Sequence, residues 1–440
     1  MKRLHKPADN DDPRHFKLVG EHMHAGDARK LNKKKAMTKL KDLATNSKDP
    51  IREVISKSIA NTSKATKAKL PSEKVMAKMI SRYRRKPGMP KNAHTLSELV
   101  LEGEYRETAT KQPFLLYDSF EMMEGEEIDE YTRDRTLFFT TKENLKFLSL
   151  CDEYFMDGTF TVTPPLFSQF YTIHGRYKGW HVPLVYMLLT NKKQETYEDA
   201  LKVLCELEPT LNPTDFMIDF EMGAINAIRA NFPESEIHGC HFHFTQNIWR
   251  HIQLVGLQKA YNEDDDVALN LRHLIALAFV PEHSVEAAYE ELIETEFFKA
   301  GDPKIDELLD YFQATYIYAF DRKGGKKAPL FEIKLWNVYE TVLSGFPRTN
   351  NHIEGWHNKV NRMWGAHPNI FTFIDQLKKE QDMTEMAIAQ VEGGKEPGAR
   401  RTKYENEDQK LIKLVKKFDQ DIHDGSFMPY LLSIAHNNRY

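Results

Sequence analysis

Two short apolar runs in this chain each stop at an aspartate, and that pattern limits the folds open to it. Residues 154–156 lead into Asp157-Gly158-Thr159-Phe160, and residues 216–218 lead into Asp219-Phe220-Glu221. A carboxylate at the end of a buried strand is costly unless it is paired, hydrogen-bonded or metal-bound. If the two strands are neighbours in one sheet, both carboxylates emerge at the edge where α/β sheets bind ligands. A third block, Asn350-Asn351-His352-Ile353-Glu354-Gly355-Trp356-His357, opens a helical pattern. Its Glu354 can reach the same edge. Hard oxygen ligands favour Mg²⁺ or Mn²⁺ over zinc, and three such carboxylates suit phosphoryl transfer.

Each residue also has a plainer reading. Asp157-Gly158 is a common turn. Glu221 can be a carboxylate favoured at a helix N-terminus. Glu354 can be a helix-start carboxylate behind an Asn350 or Asn351 cap. Gly158 is read as leaving room for an anionic ligand to approach the backbone.

The surrounding pattern is that of a mixed α/β layer fold. Residues 170–176 and 182–190 read as strands buried on both faces, with a hairpin across 175–180. Helices are expected at 195–207 and 222–232, and short strands at 136–140, 215–219 and 236–240. From 243 to about 336 strands are not expected, and helical patterns at 244–261, 267–279, 284–298 and 304–318 predict an all-helical insertion. Residues 391–403 read as flexible, followed by helical pattern from 406 to about 422.

The formal net charge of −4 conceals an asymmetry. Residues 1–93 hold 25 Lys/Arg against 9 Asp/Glu, a net of +16, whereas the remainder holds 36 against 56, a net of −20. A basic arm on an acidic body points to a polyanion, although solvated basic tails without partners also occur. Within the arm, 50–62 and 71–86 form two amphipathic patterns, the second ending in Arg82, Arg84 and Arg85. Such a pair is compatible with a helix-turn-helix-like DNA module or with ordinary lysine-faced helices. His22 and His24 lack nearby cysteines for a complete zinc site. Three cysteines without CxxC spacing fit a reducing compartment, cytosol or nucleus. No apolar run approaches a bilayer span, and residues 1–6 show no secretory pattern.

Cys240-His241-Phe242-His243 offers half of a Cys/His metal site, with His251 or His352 as candidates for the rest. The alternative is a buried Cys240 and a His243 that contacts substrate beside the acidic site.

In order, Asp157-Gly-Thr-Phe, Thr172-Ile-His-Gly, Val182-Pro-Leu-Val, Asp219-Phe-Glu, Gly239-Cys-His-Phe-His-Phe and Pro347-Arg-Thr-Asn-Asn-His-Ile-Glu-Gly-Trp-His resemble the Mutator-like element (MULE) transposase domain. The resemblance runs from about residue 150 to 385. It implies a DDE recombinase with an RNase H-like mixed sheet, an all-helical insertion and a basic helical region in front. It implies Asp157, Asp219 and Glu354 as catalytic residues and ligands of Mg²⁺ or Mn²⁺, and Cys240 and His243 as the family's C-x₂-H motif near the site. Arg348, with Arg82, Arg84 and Arg85, is assigned to substrate contact. Relatives carry a FLYWCH-type zinc finger at the N-terminus, which here looks truncated, with His22 and His24 as its remnant.

The domain reading is 1–92 basic and DNA-binding, 93–146 connecting, 147–250 first part of the core, 251–340 insertion, 341–385 final core helix, and 386–440 flexible segment and terminal helix. The function implied is Mg²⁺-dependent cleavage and strand transfer at terminal inverted repeats in the nucleus. The partners implied are repeat and target DNA and further copies of the chain on DNA, with no membrane. The alternative is a catalytically inactive, DNA-binding transcription regulator on the same scaffold.

Overall fold

The computed structural model describes residues 3–5, 17–19, 28–47, 49–84, 88–121, 134–398, 402–418, 422 and 425–437. His22, His24 and Arg85 lie outside them. The chain divides into two compact units, 1–91 and 92–440.

In the first unit, strands β1 (Arg3–His5) and β2 (Lys17–Val19) pair antiparallel. Helices α1 (Ala28–Asn46), α2 (Ile51–Ile59), α3 (Lys64–Lys67) and α4 (Glu73–Arg84) follow. Leu40, Ala44, Val54, Ile55, Met76 and Ile80 form their common core. The expected apolar faces are narrower than read, because Ile51 and Val75 are exposed. The long α1 was not foreseen. Its buried positions Ala36, Leu40 and Ala44 recur every four residues and are submerged among lysines.

The second unit is mixed α/β around a seven-stranded sheet of order β3-β4-β7-β6-β5-β8-β9. Its first strands are β3 (Leu115–Asp118) and β4 (Thr136–Phe139), and α5 (Lys142–Leu148) follows. Next come β5 (Glu153–Thr159), β6 (Gln169–Tyr177) and β7 (Trp180–Leu189). Helix α6 (Gln194–Leu207) leads to β8 (Asp215–Ile218), and α7 (Met222–Asn231) leads to β9 (Glu236–Gly239). Strands β5, β6 and β7 are antiparallel, while β5, β8 and β9 run parallel. The β6–β7 hairpin turns at Lys178-Gly179, both with positive φ, the backbone a tight two-residue hairpin needs.

Strand alternation sends side chains to two covered faces. Tyr171 on one face meets Tyr197 of α6 at 5.3 Å between ring centroids. Helices α15 (Asn351–Trp364) and α16 (Ile370–Glu392), which come after the helical region, cover the other face. There Phe170 meets Phe373 of α16 at 4.9 Å, and Tyr186 stacks on Trp356 of α15 at 6.1 Å.

Between β9 and α15 lie α8 (His241–Leu254), α9 (Gln258–Glu263), α10 (Asp265–Ala276), α11 (Val285–Ile293) and α12 (Pro303–Phe312). After a two-strand ladder, β10 (Ala319–Phe320) with β11 (Lys326–Lys327), come α13 (Ile333–Trp336) and α14 (Tyr339–Ser344). The region is therefore helical but not purely so. The helix expected at 244–261 is broken near Gly256, whose φ is +78°. A buried aromatic cluster holds the region, with Phe244 stacked on Trp336 at 5.0 Å. Two further helices, α17 (Thr402–Val415) and α18 (Met428–Asn437), follow α16, and α18 packs on α10. No helix among the described residues is long and apolar enough to cross a membrane.

His273 on α10 is buried, and neither ring nitrogen has a hydrogen-bond partner. Burial, with a smaller contribution from His436, holds its pKa down at about 4. The unfolded chain, with a His pKa near 6.5, binds that proton more readily. The stability from keeping His273 neutral is therefore present above about pH 6.5 and lost as pH falls toward 4. By linkage this one group costs on the order of 2 kcal/mol between pH 7 and pH 5. Denaturant titrations at the two pH values should show that loss, and His273→Leu should reduce it.

Candidate active site

The parallel pairing of β5 with β8 sets the site. Glu153, Tyr154 and Phe155 lie level with Asp215, Phe216 and Met217. The same register, extended two residues, brings Asp157 level with Asp219 at the carboxyl ends of adjacent strands. Neighbouring strands are about 4.8 Å apart. Alternation puts both aspartates on the face of Phe155 and Met217, which Ile353 of α15 covers together with Cys240. Each aspartate accepts a hydrogen bond from the amide that follows it, Gly158 N at 2.8 Å and Phe220 N at 2.6 Å.

Helix α15 brings Glu354 to the same place. Its first turn is tied to β5 by Asn350, a fully buried residue at the N-cap position. The Asn350 side chain does not cap the helix. Its Nδ2 donates to the Met156 carbonyl at 3.3 Å, and its backbone amide donates to Cys240 Sγ at 3.3 Å. The residue before Asp157 and the residue before His241 are thus fastened to the start of the helix that carries Glu354. On its other side, Trp356 Nε1 and Lys359 Nζ donate to Glu380 of α16 at 2.8 and 2.9 Å.

Two histidines sit among the three carboxylates. His243, in the first turn of α8, has Nδ1 3.6 Å from Asp219 Oδ1 and Nε2 3.9 Å from Glu354 Oε1. Burial opposes its charged form, but the adjacent Cys240 thiol and the charges of Asp219 and Asp157 outweigh this and raise its pKa to about 9. His243 is therefore the counter-charge to the acids at neutral pH. His357, one turn beyond Glu354, has Nδ1 3.4 Å from Asp157 Oδ2. Burial lifts Asp219 above the ordinary carboxylate range, with Asp157 and Glu221 adding to it and His243 opposing. Glu354 is lifted by burial too, with Asp157 and Asp219 adding and both histidines opposing.

The ligand atoms of Asp157, Asp219 and Glu354 do not all lie within 4.8 Å of one another, a spacing that among the described residues only Asp215, Glu236 and His238 show. Glu354 Oε1 is buried and accepts no hydrogen bond. All three side chains offer hard oxygens, and a cation would offset the burial and the smaller mutual repulsion that lift Asp219 and Glu354.

Glu221 is engaged elsewhere. It pairs with Lys192 and accepts from the Tyr197 hydroxyl at 2.6 Å. Cys240 is fully buried against Phe155, Met217 and Ile353, and His241 packs edge-on against Phe279. Arg348 pairs with Asp408 at 2.8 Å. In the first unit, the Arg84 guanidinium donates to the carbonyls of Ala44, Ser47 and Asp49, so it closes the end of α1, while Arg82 stays exposed. The absent side chain of Gly158 faces away from the acids, where a Cβ would meet Gln169 and Tyr171 at 3.0 Å. That glycine serves contact with β6 rather than ligand approach.

Sequence reasoning passed over two contributors. Asn350 was weighed only as a cap, and His357 only as a neighbour of Glu354. The three-residue spacing of Glu354 and His357 places them on one helix face, which was the available signal for His357.

A second acidic group lies at the other end of the same strands. Asp215, Glu236 and His238 offer ligand atoms within 4.8 Å of one another, the one such group of three among the described residues. Several of its atoms are already engaged. Asp215 takes His238 Nε2 at 2.8 Å and the Thr214 hydroxyl at 2.6 Å, and Glu236 pairs with Lys334 at 3.0 Å. It is a hydrogen-bonded surface cluster and carries no orphaned acceptor.

Residues 154–247 match the MULE transposase domain. The matched stretch begins in β5, ends in α8 and includes Asp157, Asp219, Cys240 and His243. Glu354 falls outside it. No curated protein matches the chain.

Asn350→Ala removes the tie to the Met156 carbonyl while keeping the backbone of α15. The expected loss is about 1 kcal/mol, or roughly 2 °C in melting temperature. Amide hydrogen exchange over residues 351–357 should quicken more than over α16. Equal protection in both helices would show that Asn350 does not anchor α15.

Proposed function

We propose that residues 92–440 form a DDE-type, divalent-metal-dependent nuclease and strand transferase acting on DNA. In this reading the seven-stranded sheet is an RNase H-like core, and α8–α14 are the insertion before the final acidic helix. The observation that carries it is the β5–β8 register that levels Asp157 with Asp219, with Glu354 joined to them through His243. The family match over 154–247 supports a transposase-related role.

Asp157, Asp219 and Glu354 would hold Mg²⁺ or Mn²⁺. Bound metal would activate water or a 3′-hydroxyl and stabilise the leaving oxygen. The chain's own residues do the positioning. Asn350 and Met156 fix the distance of α15 from β5. His357 orients the Asp157 carboxylate. His243 faces the acids, with Nδ1 3.6 Å from Asp219 and Nε2 3.9 Å from Glu354, where its ring can meet a scissile phosphate. The substrates in this reading are terminal inverted repeats and target DNA, handled by several copies of the chain in the nucleus. Arg348 reaches DNA only after parting from Asp408.

Asp157→Asn keeps the shape of the side chain and removes its charge. It should abolish Mg²⁺-dependent strand cleavage and lower Mn²⁺ affinity, read by the electron paramagnetic resonance of free Mn²⁺. DNA affinity should stay within about two-fold, since no phosphate contact is lost. Unchanged cleavage in the variant would remove the triad. A wild type that binds DNA without cutting it at any Mg²⁺ or Mn²⁺ concentration would favour the non-catalytic regulator.

A further inference from the structure

The first unit contains a cavity of about 310 Å³ between α1 and the link from α2 to α3. Asn32, Lys35 and Lys39 line one wall, Thr62 and Ser63 the other, and Ala36 lies at the back. The spacing of Asn32, Lys35 and Lys39 places them on one face of α1. Ala36 is 6% exposed and too short to fill the space between the two lysines. The polar groups around the space are ammonium, amide and hydroxyl, and no carboxylate lines it.

Lys57 is held by Asp49 and Glu53, whereas neither Lys35 nor Lys39 has an ion pair among the described residues. Lys33 and Lys34 extend the same positive helix. Two unpaired cations with hydroxyl and amide donors around a small space match a phosphate group. An apolar ligand would find no wall to bury against.

We propose that this cavity is a cradle for one phosphodiester of the DNA backbone, with Lys35 and Lys39 supplying charge and Thr62 and Asn32 supplying neutral hydrogen bonds. The proposal rests on the reading of DNA as the partner. It places the contact at Lys35 and Lys39, whereas Arg84 is engaged with the carbonyls of Ala44, Ser47 and Asp49. The contact is to backbone and carries no sequence information by itself.

The test measures binding of the full chain to one mixed-sequence duplex as a function of salt. Four proteins are compared: wild type, Lys35→Gln with Lys39→Gln, Lys74→Gln with Lys78→Gln, and Thr62→Val. The α4 pair has the same spacing and charge but lies outside the cavity. Log affinity falls with log salt at about 0.9 per phosphate neutralised. The Lys35/Lys39 variant should flatten that slope by about 0.9, one phosphate's worth, and the Lys74/Lys78 variant by less than half as much. Thr62→Val should weaken binding with the slope unchanged. Melting temperatures should match wild type, since both lysines are exposed.

Equal slopes in the two lysine variants would overturn the cradle while leaving DNA as the partner. A wild type without DNA affinity would overturn both the cradle and the DNA reading. Inorganic phosphate at constant ionic strength should leave the difference between the variants in place. Its disappearance would assign the cavity to free phosphate and overturn the backbone assignment.

Discussion

The parallel ladder between β5 and β8 is the constraint on which the rest depends. Parallel strands cannot be joined by a tight turn, so β6, β7 and α6 intervene between them. That ladder levels Asp157 with Asp219 and crowds two acids at one edge. A slip by one residue would send one aspartate to the opposite face, among Met156 and Ile218. Register here is specified by the buried side chains on both faces: Tyr154 and Phe216 meet on one at 5.5 Å between ring centroids, and Phe155 and Met217 share the cluster on the other.

A charge cluster on a buried face has to be held in place by something other than its own attraction. Here α15 does this from outside the sheet. It is fastened to β5 through Asn350, to β9 and α8 through Cys240, and to α16 through Glu380. His243 and His357 set ring nitrogens against the acids, 3.6 Å from Asp219 and 3.4 Å from Asp157. Removing a tie should therefore lower the protection of α15, and in the proposed reading metal affinity with it, because that helix carries Glu354. This arrangement is more than a surface acidic patch provides, and it separates the carboxyl-end acids from Asp215, Glu236 and His238 at the other end of the strands.

Much of this was readable in the residues. The strands around Asp157 and Asp219, the β6–β7 hairpin, and the helix carrying Glu354 follow from apolar runs, alternation and turn residues. Other features were not readable. Helix α1 hides its spaced apolar positions among lysines, and β3 is only four residues long. Gly158 reads as an open approach, yet it is occupied by contact with Tyr171, which only the pairing of β5 with β6 determines. Arg84 and Arg348 look free in sequence because their partners, the end of α1 and Asp408, are 35 or more residues away. The tie from Asn350 to Met156 spans 194 residues, and no local pattern announces it.

The most direct measurement is the anomalous diffraction of crystals soaked in Mn²⁺. The account predicts a peak between the carboxylates of Asp157 and Asp219, with Glu354 turned toward it and metal–oxygen distances of roughly 2.1 Å. A Mn²⁺ peak at Asp215, Glu236 and His238, with none at Asp157 and Asp219, would contradict it.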